Sequence, residues 1–162
     1  MSAQGIIFAL HLWAMAGVPP VYGLDVWGAS RAEGIDPYDL GALLISEHHG
    51  SYGDDSESTA GALGLYQVTK PWAWRWEERG GELVAGSARA TLLDPEAASH
   101  VAASVVSYSI ERHEDCGPNS QHTWVGHWKC GRSGRDSGLA CGYAQRRWQR
   151  IRDYIDPPWG HI

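Results

Sequence analysis

Residues 58–67 read Ser58-Thr59-Ala60-Gly61-Ala62-Leu63-Gly64-Leu65-Tyr66-Gln67. Two glycines three residues apart, set among small and apolar side chains, describe a compact turn rather than a regular helix or strand. Gly61 and Gly64 let a ligand come close to the backbone, and Ala62 adds little bulk beside them. Gln67 carries both a donor and an acceptor. The Ser58 hydroxyl can bond a nearby carboxyl or a ligand. Leu65 and Tyr66 lie between the last glycine and Gln67, and Tyr66 offers a flat aromatic face to a ring-shaped ligand.

Upstream of the turn, Asp36-Pro37 opens a helix: an N-cap residue followed by proline at the first helical position. Leu40, Leu43 and Leu44 give it one apolar stripe, and it runs to Glu47 or His48. Gly50 to Gly53 breaks the pattern, and Asp54 to Ser58 is a polar loop. Glu47 therefore ends an apolar helix just before the glycine-rich turn. Desolvation against apolar walls keeps a carboxyl partly protonated near neutral pH, so that it can act as a general acid. Spacing alone equally describes an exposed helix-terminal glutamate. His48 and His49 read as exposed histidines at the helix end.

The other segments are mostly helical in pattern. Residues 3–16 predict a buried first helix, stopped by Gly17 and Pro19-Pro20. The first basic residue is Arg31, so the apolar run Ile6 to Trp13 lacks the positive flank of a secretory leader. Pro71 to Glu78 predicts a short helix carrying Trp72, Trp74 and Trp76, which at alternate positions cannot share one face. Asp94-Pro95 opens a helix that runs to about His113. Residues 114–142 are rich in Gly, Ser and Cys, with a short helical piece near Thr123–Lys129. The last helix puts Ala144, Trp148, Ile151 and Ile155 on one face and its arginines opposite, and Pro157-Pro158 closes it. The expected architecture is mainly α, with residues 1–162 forming one domain.

Composition narrows the function. The 162 residues are 43% hydrophobic and 20% charged, which excludes a disordered chain. The net charge of -6 argues against a general nucleic-acid binder. No apolar run reaches the roughly 18 residues of a membrane span. Charge is uneven: residues 1–128 hold 6 Lys/Arg against 16 Asp/Glu, while residues 129–152 hold 7 Lys/Arg against Asp136 alone. That basic segment is either a solvated helix face or an attractor for an anionic polymer. Nine Trp stand against one Phe, a content that suits a Trp-rich core or flat sugar-binding surfaces. Cys116, Cys130 and Cys141 are odd in number and form no CxxC pair, and with His113, His122 and His127 they fit no metal-ligand spacing. No metal and no cofactor is expected.

The segment Ser58 to Gln67 resembles the Ser-x-x-Gly-Ala-x-Gly-Leu-x-Gln signature of the soluble lytic transglycosylase family. In that family the signature follows a helix-terminal catalytic glutamate, at the place of Glu47 here. Leu93-Asp94-Pro95 and the Tyr143-Ala144 start of the last helix are similar to later elements of the family, so the resemblance runs from about residue 35 to about residue 155. Trp128-Lys129-Cys130-Gly131 stands where the family has Tyr-Asn-x-Gly, with Trp128 in place of the tyrosine ring and Lys129 in place of the asparagine.

The resemblance implies a lysozyme-like fold of the soluble lytic transglycosylase or goose-type lysozyme kind. It implies cleavage of the β-1,4 bond between N-acetylmuramic acid and N-acetylglucosamine in peptidoglycan, with a 1,6-anhydro product. Glu47 is the implied catalytic residue. Ser58, Gly61, Ala62, Gly64, Leu65, Tyr66, Gln67 and Trp128 are the implied substrate-binding residues. The rivals are a hydrolytic lysozyme of the same fold, a chitin-directed enzyme, and a non-catalytic glycan-binding or virion structural module. Goose-type lysozymes carry aspartates near the turn that position water; Ser58 and Thr69 hold those places here, although Asp54, Asp55 and Glu57 lie in the loop. The expected partner is the peptidoglycan glycan strand at the bacterial cell wall, with no nucleic acid and no stable membrane insertion. The expected setting is a phage lysis system or phage particle.

Overall fold

The structure, a computed structural model, describes residues 2–48, 57–112, 125, 128 and 139–156. Among these the chain forms α1 (Ala3–Ala16), α2 (Pro20–Glu33), α3 (Pro37–His48), α4 (Lys70–Glu78), a 3-10 turn at Val84–Gly86, α5 (Ala88–Leu93), α6 (Pro95–Arg112) and α7 (Leu139–Ile155). The architecture is mainly α. No helix among the described residues is long and apolar enough to cross a membrane. The expected helical piece near Thr123–Lys129 lies outside the described residues except for Val125 and Trp128, both helical. Cys116, Cys130, His113, His122 and His127 also lie outside them.

Local chemistry sets the helix ends. The Ser2 hydroxyl accepts a bond from the Gly5 N–H at 3.1 Å and caps α1, and Gly17 closes that helix in the left-handed region. The Pro19-Pro20 pair does more than stop α1. Pro20 is the first residue of α2, where its missing N–H leaves no bond unmade. Apolar spacing gives little sign of α2, because its buried positions include Gly23, Ala29 and Ser30. Those small residues let it lie close to α1: a side-chain carbon on Gly23 would come within 2.8 Å of the Ala9 Cα. Asp36 accepts from the Tyr38 N–H at 2.8 Å and Asp94 from the Ala97 N–H at 2.9 Å, so both Asp-Pro starts are capped by their own aspartates.

α3 is the central element. Every residue from Tyr38 to Leu44 is buried, because α2 covers one side and α7 another. The far side of α2 packs on α6, and α4 and α5 pack on α6 in turn. α1 leans mainly on α2, touches α7, and sets Phe8 and Leu12 against Tyr38 and Gly41 of α3. It is therefore not the wholly buried helix expected: Phe8, Ala9 and Leu12 face the core, while Ile6, Ile7, Leu10 and Trp13 stay exposed.

α7 corrects a second expectation. Trp148 and Ile155 face the core as read from the sequence, but Arg152 is buried with them rather than standing opposite. Its Nε donates to Asp39 Oδ1 at 2.7 Å, its Nη2 donates to Asp36 Oδ2 at 2.9 Å, and its Nη1 lies 3.2 Å from Asp156 Oδ2. The guanidinium also sits over the Tyr38 ring, 5.4 Å from its centre. Burial works against the Arg152 charge, but the bond to Asp39 and the charges of Asp36, Asp39 and Asp156 outweigh it and hold the pKa above the ordinary value. Trp148 adds an indole N–H bond to the Asp39 carbonyl at 3.2 Å. The start of α3 is thus clamped by α7, and this fixes the axis along which Glu47 projects.

Candidate functional site

Glu47 is the penultimate residue of α3 and is half-buried. It lines a cavity of about 100 Å³ with Leu43, Ser46, Val125, Tyr143, Ala144 and Arg147. Two apolar residues and the first turns of α7 therefore form the walls around the carboxyl. Ser46 turns its hydroxyl back to the Leu43 carbonyl at 2.9 Å, and among the described residues Glu47 is the acidic group of that cavity. His48 is buried, at 7% exposure, and not at the surface as its helix-end position suggests. It is the residue after Glu47 and turns toward the core with the apolar face of α3. His49 lies outside the described residues.

The 58–67 turn folds as a double loop. Leu63 pairs antiparallel with both Glu57 and Val68. Ser58 closes the first loop: its N–H donates to the Ala62 carbonyl at 2.8 Å, and its hydroxyl accepts from the Ala62 N–H at 3.0 Å. The hydroxyl thus shapes the turn, where the sequence suggested a bond to Glu47 or to substrate. Ala62 is half-buried beneath it.

In the second loop Gly64 adopts φ +69°, and a side-chain carbon there would come within 1.8 Å of the Leu92 carbonyl oxygen. Gly64 is needed so that the turn can pack on the end of α5, not so that a sugar can approach it. Gly61 has φ +78°, and no described residue would meet a side-chain carbon there within 4 Å.

Tyr66 and Leu65 overturn the expectation made for them. Both are 1% exposed and belong to the core. The Tyr66 hydroxyl lies 3.1 Å from Ser99 Oγ on α6, and burial pushes its phenol pKa well above the ordinary value. An aromatic ring locked between the turn and α6 cannot serve as a sugar platform. Sequence pattern could not separate the two readings, because an aromatic residue in a turn is buried or exposed according to what packs on it.

Gln67 holds a different position. It is a non-glycine residue with φ +51°, a region that costs about 1–3 kcal/mol and that functional sites often retain. Its N–H and its side-chain Nε2 both donate to the Gly64 carbonyl, at 3.1 and 3.0 Å. So anchored, it lines a cavity of about 140 Å³ with Val68, Thr69, Trp72, Val105, Ser109 and Trp128. The structure thus brings Gln67 and Trp128 together, and adds Trp72. Trp74 projects to solvent on the other side of α4, and Trp76 packs against the core. Among the described residues, the cavity of Glu47 and the cavity of Gln67 share no lining residue.

Sequence reasoning did not single out Arg147, Ser109 or Val125 as cavity residues. Arg147 belongs to the basic run of α7, but nothing in that run distinguishes it from Arg146 or Arg150, both exposed. Of the loop carboxylates, Glu57 is exposed and ion-paired with Arg89 on α5, while Asp54 and Asp55 lie outside the described residues. No group of three or more His, Cys, Asp or Glu suited to a metal ion occurs among the described residues.

No protein-family profile and no curated protein sequence matches the chain. Among solved structures, the chain is similar to an inactive variant of the lytic transglycosylase Slt from Pseudomonas aeruginosa, with a TM-score of 0.56 and 15% identity. The match covers 80% of this chain and 21% of that one, so the chain spans about a fifth of the length of the protein it matches. At that identity the likeness shows the fold, which is mainly α and lysozyme-like, of the soluble lytic transglycosylase kind.

Proposed function

We propose that the chain is a peptidoglycan lytic transglycosylase in which Glu47 acts first as acid and then as base. One observation carries this reading. The only carboxylate lining its cavity among the described residues ends a clamped, buried helix, and a Gly-Leu-x-Gln turn follows it on a fold shared with a lytic transglycosylase. Gln67, Trp72 and Trp128, which line one cavity, are the groups we assign to glycan binding, with Gly61 giving access to the backbone. Ser58, Ala62 and Gly64 hold the shape of the turn.

The chemistry needs one carboxyl. Protonated Glu47 gives its proton to the glycosidic oxygen, and the bond from that oxygen to C1 of the muramyl sugar breaks. The positive charge left on C1 is stabilised by the sugar's own acetamido oxygen. Glu47, now ionised, removes the proton of the C6 hydroxyl as O6 closes onto C1. The product is a 1,6-anhydro sugar, and no water is consumed. A two-carboxylate hydrolase needs a second acidic group to activate water or to attack C1. Glu57 is engaged by Arg89 on the surface, which supports the single-carboxyl scheme.

The test uses purified peptidoglycan. The wild-type chain is expected to release soluble muropeptides. Glu47→Gln is expected to lower the rate about 10³-fold while still sedimenting with intact sacculi. Undiminished cleavage by Glu47→Gln would remove the carboxyl from the mechanism.

A further inference from the structure

A third cavity, of about 180 Å³, lies between α4 and α6. It shares Trp72 and Val105 with the cavity of Gln67 and Trp128, so the two are adjoining parts of one groove. Its chemistry differs from that of its neighbour. Arg75 and Arg79 both line it, with Glu78 as the one acidic residue among the described residues. The Arg75 guanidinium sits 4.8 Å from the centre of the Trp72 ring, and Arg79 Nη1 donates to Ser104 Oγ at 3.4 Å. Trp72 is in turn set edge-on against Tyr108 at 5.7 Å. Two cations are therefore held in place before any ligand arrives, one by an aromatic face and one by a hydroxyl.

Charge makes this pair stand out. Residues 1–128 carry 6 Lys/Arg against 16 Asp/Glu, and two of those six basic side chains line this single cavity. Guanidinium groups match planar carboxylates, and the aromatic walls suit a short aliphatic segment beside them. A glycan chain is rich in neutral hydroxyls and gives such a site little to bind. The carboxylates of peptidoglycan belong to the short peptides that hang from its muramyl sugars. A strand lying in the Gln67 cavity brings one of these peptides alongside.

We propose that the α4–α6 cavity binds a stem-peptide carboxylate through Arg75 and Arg79, and so favours strands that still bear their peptides. This rests on the lytic reading above for the identity of the strand.

Two measurements on the full chain separate the two claims. The first compares cleavage of strands with intact peptides against strands freed of them by an amidase. The wild-type ratio of rates is expected to be about ten, and Arg75→Gln is expected to bring it to about one. The second follows tryptophan fluorescence during titration with N-acetyl-alanyl-isoglutamate and with its uncharged diamide. The acid is expected to bind, about tenfold more weakly to Arg75→Gln or Arg79→Gln, and the diamide is expected not to bind. Both arginines are exposed, so an unchanged melting temperature verifies that the variants fold. Equal binding of acid and diamide, or affinity untouched by either substitution, overturns the proposal. If the wild type cleaves neither substrate, the lytic reading falls, and the peptide titration alone decides whether the cavity takes a carboxylate.

Discussion

Helix α1 contains no Lys, Arg, Asp or Glu, whereas α3 contains both Asp39 and Glu47. By composition α1 is the better candidate for a core helix. The structure reverses this: α3 is buried from Tyr38 to Leu44, while α1 leaves Ile6, Ile7, Leu10 and Trp13 at the surface. Burial follows how much of a helix's circumference its neighbours cover, not its own hydrophobicity. α3 lies between α2 and α7, and its one charged residue in the core, Asp39, is neutralised by Arg152 from α7. α1 is an outer element with neighbours on one side only.

The strongest way to break this comparison is to remove the partner that makes the burial of Asp39 tolerable. Arg152→Met leaves the buried Asp39 and the half-buried Asp36 without their cation. A loss of about 3–5 kcal/mol is expected in urea unfolding. A loss below about 1 kcal/mol would mean that α7 does not clamp α3.

Leu43→Ala probes the same helix from its apolar side. Leu43 is 1% exposed and also lines the Glu47 cavity. The expected loss is about 2–5 kcal/mol, with a fall in cleavage rate as the carboxyl's wall is removed.

α2 is the intermediate case, buried against α1 on one side and α6 on the other. Its Asp25 has a pKa pushed up to about 6, mainly by burial and further by Glu96 and Asp94 at the start of α6. The unfolded chain ionises this group near 3.8. Stability is therefore lost as the pH rises from about 4 through 6, because the folded state resists the charge that the unfolded state accepts. Asp25→Asn removes the penalty. Discounted for the partial exposure of Asp25, the gain is about 1 kcal/mol, or about 2–4 °C in melting temperature, above pH 6 and nothing below pH 4. A variant that melts above wild type by the same margin at both pH values would contradict the assignment.

The smallest effect is expected on α1. Leu10 is 48% exposed, and Leu10→Ala should change stability by less than about 0.5 kcal/mol. A loss as large as that of Leu43→Ala would show that the outer face of α1 is covered in solution.

The same contrast explains how much the sequence discloses. The Asp-Pro starts of α3 and α6 are legible because proline and an aspartate cap act within one turn of chain. Glu47 is singled out in the sequence by its place before the Ser58 to Gln67 turn, and its catalytic role stays a proposal. α2 is hard to read because glycine, alanine and serine serve its packing and leave no apolar stripe. Tyr66, His48 and Arg152 mislead for one shared reason. Each owes its environment to a residue far along the chain or to a neighbouring element, as in Tyr66 with Ser99 and Arg152 with Asp39. Gly64 reads as a ligand-side glycine until the Leu92 carbonyl is seen beside it.

The most direct test of the account is mass spectrometry of the sugar ends made when the chain digests purified peptidoglycan, with Glu47→Gln alongside. 1,6-Anhydromuramyl ends, each lighter by one water than a hydrolysed end, are expected from the wild type alone. Reducing muramyl ends from the wild type would contradict this and would make water the acceptor.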